Sequence, residues 1–164
     1  MRAHAPKAYA RLRISLICVG KLGSSSEAAL AQAYAERAAA AGRALALAPV
    51  EIVEVEARKP GKRSEAEAIL AKAVGARIIA CDEHGRAYPS RDFAARLAAL
   101  RDAGERHLAF VIGGADGLDL AALGVAETLA FGPQTWPHAL ARVMLAEQVY
   151  RAVGILAGAP YHRD

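Results

Sequence analysis

The chain alternates short apolar runs typical of β-strands with longer segments typical of helices, and this order constrains the fold more than any other feature. The strand-like runs cover residues 14–19, 50–55, 77–81, 108–112 and 128–131. Helices are expected at residues 27–41, 64–74, 90–103, 118–124 and 138–156, because Ser, Gly or Pro stands at many of their ends. Strands separated by helices tend to pair side by side in one direction. The order therefore predicts an α/β fold with a mainly parallel sheet flanked by helices.

The length of 164 residues predicts a single domain with room for one hydrophobic core. We expect residues 1–11 to be a disordered extension and residues 12–164 to form the domain. Charged residues interrupt every apolar stretch before it reaches the roughly 18–20 residues that a membrane span needs, so no membrane span is expected. The formal net charge of +4 permits a nucleic acid as partner without requiring one.

The two cysteines, Cys18 and Cys81, lie in apolar runs without a nearby His or Cys. This spacing favours buried free thiols in a reducing cytoplasm over a disulfide or a metal site. The basic N-terminal segment leads into a strand-like run without a small-residue cleavage pattern, so a secretory signal peptide is not expected. The sequence therefore predicts a cytoplasmic protein without a metal.

The first place where chemistry is expected is the turn Gly113–Gly117, which reads Gly-Gly-Ala-Asp-Gly and follows the fourth strand-like run. In open parallel sheets, ligands bind beyond the carboxyl ends of the strands, and glycines let a ligand approach the backbone closely. The spacing matches neither the dinucleotide fingerprint nor the phosphate-binding P-loop. A plain tight turn is therefore an equal alternative, and Asp116 either caps the following helix or contacts a ligand.

The second place is the segment Phe131–His138, which two prolines bracket and which holds the only tryptophan of the chain, Trp136. Rigid loops beside the end of a sheet are favoured positions for binding sites. Backbone groups of this loop could hydrogen-bond a flat heterocycle while Trp136 covers it. The alternative is that Trp136 is a core residue and the prolines only shape the connection.

The third place is the last helix, where Arg142 lies near the middle of an apolar arc. A buried guanidinium needs an anionic or dipolar partner, so we expect it to face a subunit interface, an RNA phosphate or a ligand carboxylate. Glu147 and Arg151, four residues apart, are expected to form a surface ion pair. Apolar side chains on both faces of the helix predict a subunit interface, with two-sided packing inside one monomer as the alternative.

The tail that follows this helix contains Tyr161, His162 and Arg163. An aromatic ring, an imidazole and a guanidinium together suit a nucleotide as ligand. Because chain termini are often unstructured, a frayed end is the alternative.

Together, these three places resemble the RlmH family of SPOUT methyltransferases, which methylate pseudouridine in 23S ribosomal RNA. The resemblance rests on four segments in the family's order and spacing: FVIGGADGL at 110–118, TWPHALARV at 135–143, EQVYRA at 147–152 and PYHR at 160–163. Weaker agreement reaches back through residues 81–85, Arg37, Tyr34 and residues 16–21. The resemblance thus covers nearly the whole chain from about Arg13.

The resemblance implies a single-domain SPOUT fold whose C-terminal part passes through a loop as a trefoil knot. It also implies a homodimer that binds S-adenosyl-L-methionine as cofactor in that knot. The residues at the family's cofactor-binding positions are Cys81, Gly113, Phe131, Gly132, Pro133, Gln134, Thr135 and Trp136. The family often has Leu at the first of these positions, so a backbone contact is expected at Cys81.

The implied reaction is attack of pseudouridine N3 on the methyl carbon of a sulfonium, in 23S rRNA and on the assembled ribosome. His162 is expected to be the catalytic base, because a histidine side chain ordinarily titrates at about pH 6.5, and to act near the site of the partner subunit. The residues expected to contact RNA are His138, Arg142, Tyr161 and Arg163. The alternative function is a non-catalytic ribosome- or RNA-binding protein with a SPOUT-like fold.

Overall fold

A computed structural model describes residues 10–162 of the chain. The strands are β1 (Arg13–Val19), β2 (Val50–Val55), β3 (Arg77–Ala87), β4 (His107–Ile112) and β5 (Glu127–Ala130). The helices are α1 (Ser26–Gly42), α2 (Lys62–Lys72), α3 (Ser90–Asp102), α4 (Leu120–Leu123) and α5 (His138–Ala157), with a 3₁₀ turn at Arg43–Leu45. The expected disordered extension at residues 1–11 falls largely on residues 1–9, which lie outside the described residues, as do residues 163–164.

The five strands form one sheet in the order β2-β1-β4-β3-β5, and every neighbouring pair is parallel. Strand β4 lies at the centre, and its residues Leu108–Ile112 are buried. This burial explains why β4 reads as a continuous apolar run, since a central parallel strand has a helical layer on each face. The predicted α/β fold with a parallel sheet is confirmed.

Side chains of each strand alternate between two apolar layers. Phe110 of β4 belongs to the layer built with α1, α3 and α5, whereas Val111 belongs to the layer built with α2 and α4. The first layer is the larger, and α5 supplies Leu145 and Val149 to it with no solvent exposure. Helix α5 is therefore fixed against the sheet along most of its length.

The structure differs from the sequence expectation mainly at β3 and α4. Strand β3 continues through the polar residues after Cys81 to Ala87, where a strand end was expected, and its pairing with β5 shifts register between Cys81 and Arg86. This irregularity brings Gly85 so close to β5 that a Cβ atom there would lie 2.8 Å from the backbone nitrogen of Leu129. Helix α4 is only one turn long and starts at Leu120 rather than at residue 118.

Candidate functional site

A cavity of about 310 Å³ lies where β3, β4 and β5 end. Its walls come from the glycine turn after β4, from the polar half of β3, from the proline-bracketed loop after β5 and from the first turn of α5. The lining residues predicted from the sequence are Cys81, Gly113, Phe131, Gln134, Thr135, Trp136 and His138. Parallel strands collect these distant segments at one edge of the sheet, which is where ligands bind in open α/β folds.

The glycine turn is packed tightly against itself. A Cβ atom at Gly113 would lie 3.0 Å from the carbonyl carbon and oxygen of Gly117 and 3.0 Å from the Leu118 side chain. Gly114 and Gly117 form an isolated β-bridge across the turn. A side chain at position 113 would therefore force the turn to shift, and the backbone of this turn forms a wall of the cavity.

Asp116 does not cap the following helix, so that expectation is wrong. The cap of α4 is Asp119, whose side chain accepts a hydrogen bond from the backbone nitrogen of Ala122 at 3.0 Å. Asp116 lies on the exposed side of the glycine turn and lines the cavity. Its carboxylate is thus positioned to face a ligand.

The proline-bracketed loop is closed by the indole of Trp136, which donates a hydrogen bond from Nε1 to the carbonyl oxygen of Phe131 at 3.1 Å. Thr135 Oγ1 donates to Glu83 Oε2 at 2.5 Å, which joins the loop to the polar half of β3. Trp136 is 39% exposed, so the alternative that it is a core residue is wrong. The loop is therefore held in one shape while its ring stays open to solvent.

Two residues predicted to hold the cofactor lie apart from this cavity. Gly132 lines a second cavity behind the loop, and exposed Pro133 lines neither of the two. The second cavity has about 420 Å³ and lies between α1, α3 and α5. The two cavities share the wall formed by Leu129, Ala130 and Phe131. The cavity at the strand ends is the stronger candidate, because it gathers more of the predicted residues.

The charge of the cavity at the strand ends is negative. Three of its lining residues are carboxylates, Asp82, Glu83 and Asp116, whereas no Lys or Arg within residues 10–162 lines it. Burial raises the pKa of the Cys81 thiol, so this side chain contributes no thiolate. Cys81 is only partly buried as a residue, and both cysteines are free. Such a site favours a cationic ligand and disfavours a phosphate.

Arg142 finds its partners inside the same chain. Its side chain is 3% exposed and donates to Glu54 Oε2 at 2.6 Å and to the carbonyl oxygen of Gly20 at 3.1 Å. The hydrogen bond from Arg142 holds the pKa of the Glu54 carboxyl below its ordinary value. The expected partner outside the chain is thus replaced by Glu54. With its side chain 3% exposed, Arg142 presents little surface to an RNA phosphate.

The tail packs against α5 of its own chain. Tyr161 donates from its hydroxyl to Glu147 Oε1 at 3.1 Å, and its ring packs at a tilt of 53° against Tyr150 with ring centroids 4.5 Å apart. Glu147 and Arg151 form the predicted ion pair, but their side chains are only 17% and 27% exposed, so the pair is partly buried rather than on the surface. The contact between the two rings also argues against a frayed end as far as Tyr161.

His162 does not line the cavity at the strand ends within its own chain. It is half-buried, and its Nδ1 atom is buried without a hydrogen-bond partner among the described residues. Arg163 lies outside the described residues. The predicted base and the predicted cofactor residues are therefore separate within one monomer.

Sequence reasoning missed three acidic residues that shape this edge of the sheet. Asp82 and Glu83 lie in a stretch that reads as a loop but continues β3, and Glu54 lies 88 residues from its partner Arg142. In the sequence, Glu54 is only a carboxylate near the end of a strand rich in β-branched residues, and such carboxylates are common at exposed strand ends. Its distant partner can be identified only once the order of the strands in the sheet is known.

Two classes of site are not found within residues 10–162. No helix there is long and apolar enough to cross a membrane. No group of three or more His, Cys, Asp or Glu residues in the same range is arranged to hold a metal ion.

Comparison with known proteins places the chain in a family. Residues 12–162 match a family model described as "Predicted SPOUT methyltransferase". A ribosomal RNA large subunit methyltransferase H from Caulobacter sp. (strain K31) is 68% identical over 154 residues, which are 93% of this chain and 100% of that protein. A protein of the same name from Roseobacter denitrificans (strain ATCC 33942 / OCh 114) is 52% identical over 156 residues, with 93% and 100% covered.

A solved structure described as a probable methylase family protein from Haemophilus influenzae Rd KW20 aligns with 18% identity and a TM-score of 0.48, covering 94% of this chain and 71% of that one. The family model and the curated relatives extend over nearly the whole chain, including the glycine turn, the proline-bracketed loop and the tail. The chain therefore belongs to the SPOUT methyltransferase family, and within it to the RlmH family that its motifs resemble.

Proposed function

We propose that this protein transfers a methyl group from S-adenosyl-L-methionine to N3 of a pseudouridine in 23S rRNA, on the assembled ribosome and as a homodimer. The name of its relatives, ribosomal RNA large subunit methyltransferase H, supports the transfer of methyl groups to large-subunit RNA. A protein with this substrate works where ribosomes are, in the cytoplasm.

The observation that carries the proposal is the cavity at the strand ends, which six of the eight predicted cofactor residues line. Its volume of about 310 Å³ falls within the range of small-molecule sites, roughly 300–1,000 Å³. S-adenosyl-L-methionine carries a sulfonium and an ammonium against one carboxylate and has no phosphate. Asp82, Glu83 and Asp116 therefore fit this ligand better than they fit a nucleotide phosphate.

The backbone of the loop and the ring of Trp136 suit the adenine end of the cofactor. Because the loop is closed by the hydrogen bond from Trp136 to Phe131, its remaining amides and carbonyls are held in place before a ligand arrives. The positive φ of +94° at Gly132 turns the loop there with nothing within 4 Å of a Cβ position. Gly113 would contribute backbone contact from the opposite wall.

When bound, S-adenosyl-L-methionine supplies a methyl group on a positively charged sulfur, which is already activated for displacement. The new bond joins pseudouridine N3 to the methyl carbon, the carbon–sulfur bond breaks with its electron pair going to sulfur, and the N3 proton passes to a base. The task of this chain is to align N3 with the methyl carbon and to accept that proton. We assign the proton to His162.

Because His162 does not line the cavity of its own chain, we favour a homodimer in which the partner subunit brings the tail to the site. Exposed apolar side chains near the cavities support such an interface. They are Leu30, Trp136, Leu140 and Tyr161. In this arrangement Tyr161 and Arg163 would contact the RNA together with His138 at the start of α5, while Arg142 would keep the helix in place. The C-terminal trefoil knot stays a prediction of the resemblance.

The test combines calorimetry with S-adenosyl-L-methionine and methylation of ribosomes purified from cells that lack the modification, followed by mass mapping of 23S rRNA. We expect binding at one site per chain and a single methylated pseudouridine. His162→Ala should retain cofactor binding but lose single-turnover rate at saturating ribosome, with partial recovery at higher pH, where more of the N3 imide is ionised. An undiminished rate would exclude the assigned base. Ribosome binding without methyl transfer would support the non-catalytic alternative.

A further inference from the structure

We propose that the turn between β2 and α2 is a docking surface for the phosphate backbone of the RNA substrate. This cationic turn, residues 58–63, has the sequence Arg-Lys-Pro-Gly-Lys-Arg. Its basic residues Arg58, Lys59, Lys62 and Arg63 are all exposed. The inference rests on the proposed function, because it names the part of the protein that holds the RNA beside the reacting base.

The four basic side chains of the cationic turn have no ionic partner within residues 10–162. Elsewhere in the chain many cations are neutralised locally. Such pairs are Arg13–Glu51, Lys21–Glu56, Arg77–Glu105, Arg96–Glu127 and Arg151–Glu147. Unpaired cations concentrated in six residues produce a local positive potential that the net charge of +4 does not reveal.

The cationic turn lies beside the cavity at the strand ends. A Cβ atom at Gly117 would be 3.9 Å from Lys62 Nζ, and Gly117 lines the cavity. One helical turn further, the backbone nitrogen of Gly114 donates to Glu65 Oε2 at 3.4 Å. The start of α2 therefore packs against the glycine turn, and Lys62 lies at the rim of the cavity.

The cavity and the cationic turn carry opposite charge, and each charge suits a different part of the substrate complex. Carboxylates line the cavity, where they would repel a phosphate backbone, whereas the cationic turn attracts it from outside. A methyltransferase acting on RNA must hold the base near the cofactor and the backbone at the rim. This division of charge matches that requirement. Phosphate contacts fix the position of a nucleic acid without reading its sequence.

The cationic turn is also held in a defined shape. The backbone nitrogen of Lys59 donates to Ser64 Oγ at 3.2 Å, which ties the turn to the first turn of α2. Gly61 has φ of +114°, a conformation that other residues rarely adopt. Cations presented on an ordered turn lose less entropy on binding than cations on a mobile segment.

The test compares two variants that each remove four positive charges. The first is R58Q/K59Q/K62Q/R63Q in the cationic turn. The matched control is R11Q/R43Q/K72Q/R106Q, whose exposed cations precede β1, β2, β3 and β4 at the opposite edge of the sheet. Binding of each protein to assembled ribosomes that lack the modification is measured over a series of salt concentrations, beside calorimetry with S-adenosyl-L-methionine.

For the cationic-turn variant we expect cofactor affinity and the rate at saturating ribosome to stay unchanged, whereas ribosome affinity at physiological salt falls about 100-fold. The slope of log affinity against log salt should become shallower by about 3, since each lost phosphate contact removes roughly 0.7–0.9. The control variant should keep most of the wild-type slope. A wild-type slope in the cationic-turn variant, or equal changes in both variants, would overturn the proposal.

Two further outcomes separate this inference from the proposed function. Salt-dependent ribosome binding without methyl transfer would remove the proposed function and leave the docking surface standing. Methyl transfer by the cationic-turn variant with wild-type KM and wild-type salt slope would support the proposed function and overturn the docking surface. If the two variants differ on assembled ribosomes but bind deproteinised 23S rRNA equally, the turn contacts a ribosomal protein and the RNA proposal is overturned.

Discussion

The two edges of the sheet, where the strands begin and where they end, differ in whether their polar groups bond to one another or remain available to a ligand. At the edge where the strands begin, polar groups are satisfied by one another: Arg13 pairs with Glu51, and Ser15 shares a 2.8 Å hydrogen bond with His107. At the edge where the strands end, the half-exposed ring of Trp136, the carboxylate of Asp116 and a turn of close-packed glycines are presented to solvent. The first edge stabilises the fold, and the second is left available for a ligand.

The edge where the strands end is itself divided. Beyond β1 and β2 the Arg142 guanidinium bridges Glu54 and the carbonyl oxygen of Gly20, and both charged side chains line a cavity of about 500 Å³ beside the start of α1. Glu54 also accepts from the backbone nitrogen of Leu22 at 2.9 Å, so one carboxylate fixes the end of β1 and the start of α5. Beyond β3, β4 and β5 the edge is open. The Arg142 bridge thus stabilises one half of the edge, whereas the other half carries the predicted cofactor residues.

Removing the Arg142 bridge should have the largest of the expected effects, and it should act on stability. Arg142→Ala leaves the Glu54 carboxylate and the Gly20 carbonyl without their buried partner, and Glu54 keeps only part of its contact with water. We expect the free energy of unfolding to fall by about 3 kcal/mol, near the lower end for a broken buried ion pair. Urea unfolding measures this loss.

Arg13→Ala provides the control, because its pair with Glu51 is exposed at the opposite edge and should contribute less than about 1 kcal/mol. Equal losses for the two variants would contradict the division of the edge. Lost ribosome affinity in Arg142→Ala at unchanged stability would instead make Arg142 an RNA contact, as the sequence suggested.

A smaller effect is expected at the open half, and on binding rather than stability. Gly113→Ala puts a methyl group 3.0 Å from the Gly117 backbone, so the turn must shift and carry the cavity wall with it. In Gly114→Ala the nearest atom is Glu65 Oε1 at 2.8 Å, which is the end of a flexible side chain and can move. We expect the Kd for S-adenosyl-L-methionine to rise about tenfold in Gly113→Ala and at most about twofold in Gly114→Ala.

Calorimetry on the two alanine variants and the wild type gives these constants directly. The adjacent position serves as control for folding and for the added methyl group. Equal affinities in all three proteins would show that the glycine turn does not shape the ligand site.

The sequence predicted the regular elements closely where one physical cause dominates. Strand β2 begins and ends at the predicted residues, and α5 ends one residue after the predicted position, because β-branched runs and a Gly after the last turn mark these ends. The prediction ended strand β3 too early, at residue 81, because the second half of the strand is polar. Its pairing depends on Gly85 packing against Leu129, a contact that no local pattern encodes.

The candidate site likewise has a part that could be identified from the sequence and a part that could not. Gly113 and the loop from Phe131 to Trp136 could be identified from a resemblance along the chain, because each is a continuous segment with turn-forming residues. The carboxylates that give the cavity its charge could not, since Asp82 and Glu83 join it only through the continuation of β3. Contacts between distant segments depend on strand order, which the sequence alone leaves open.

The smallest expected effect lies at the edge where the strands begin. Burial and the nearby Arg13 guanidinium hold the pKa of His107 below its ordinary value of 6.5, whereas unfolding restores that value. Between the two pKa values the unfolded chain binds more protons, so stability is fully present above about pH 7 and is lost as the pH falls through this window. We expect His107→Gln to remove this slope from urea unfolding midpoints measured between about pH 7.5 and pH 5. His84→Gln, whose imidazole is 86% exposed, should keep the slope, and S-adenosyl-L-methionine affinity should be unchanged in both variants. If the slope persists in His107→Gln, or if its cofactor affinity falls, the edge where the strands begin is not the purely structural half of the molecule.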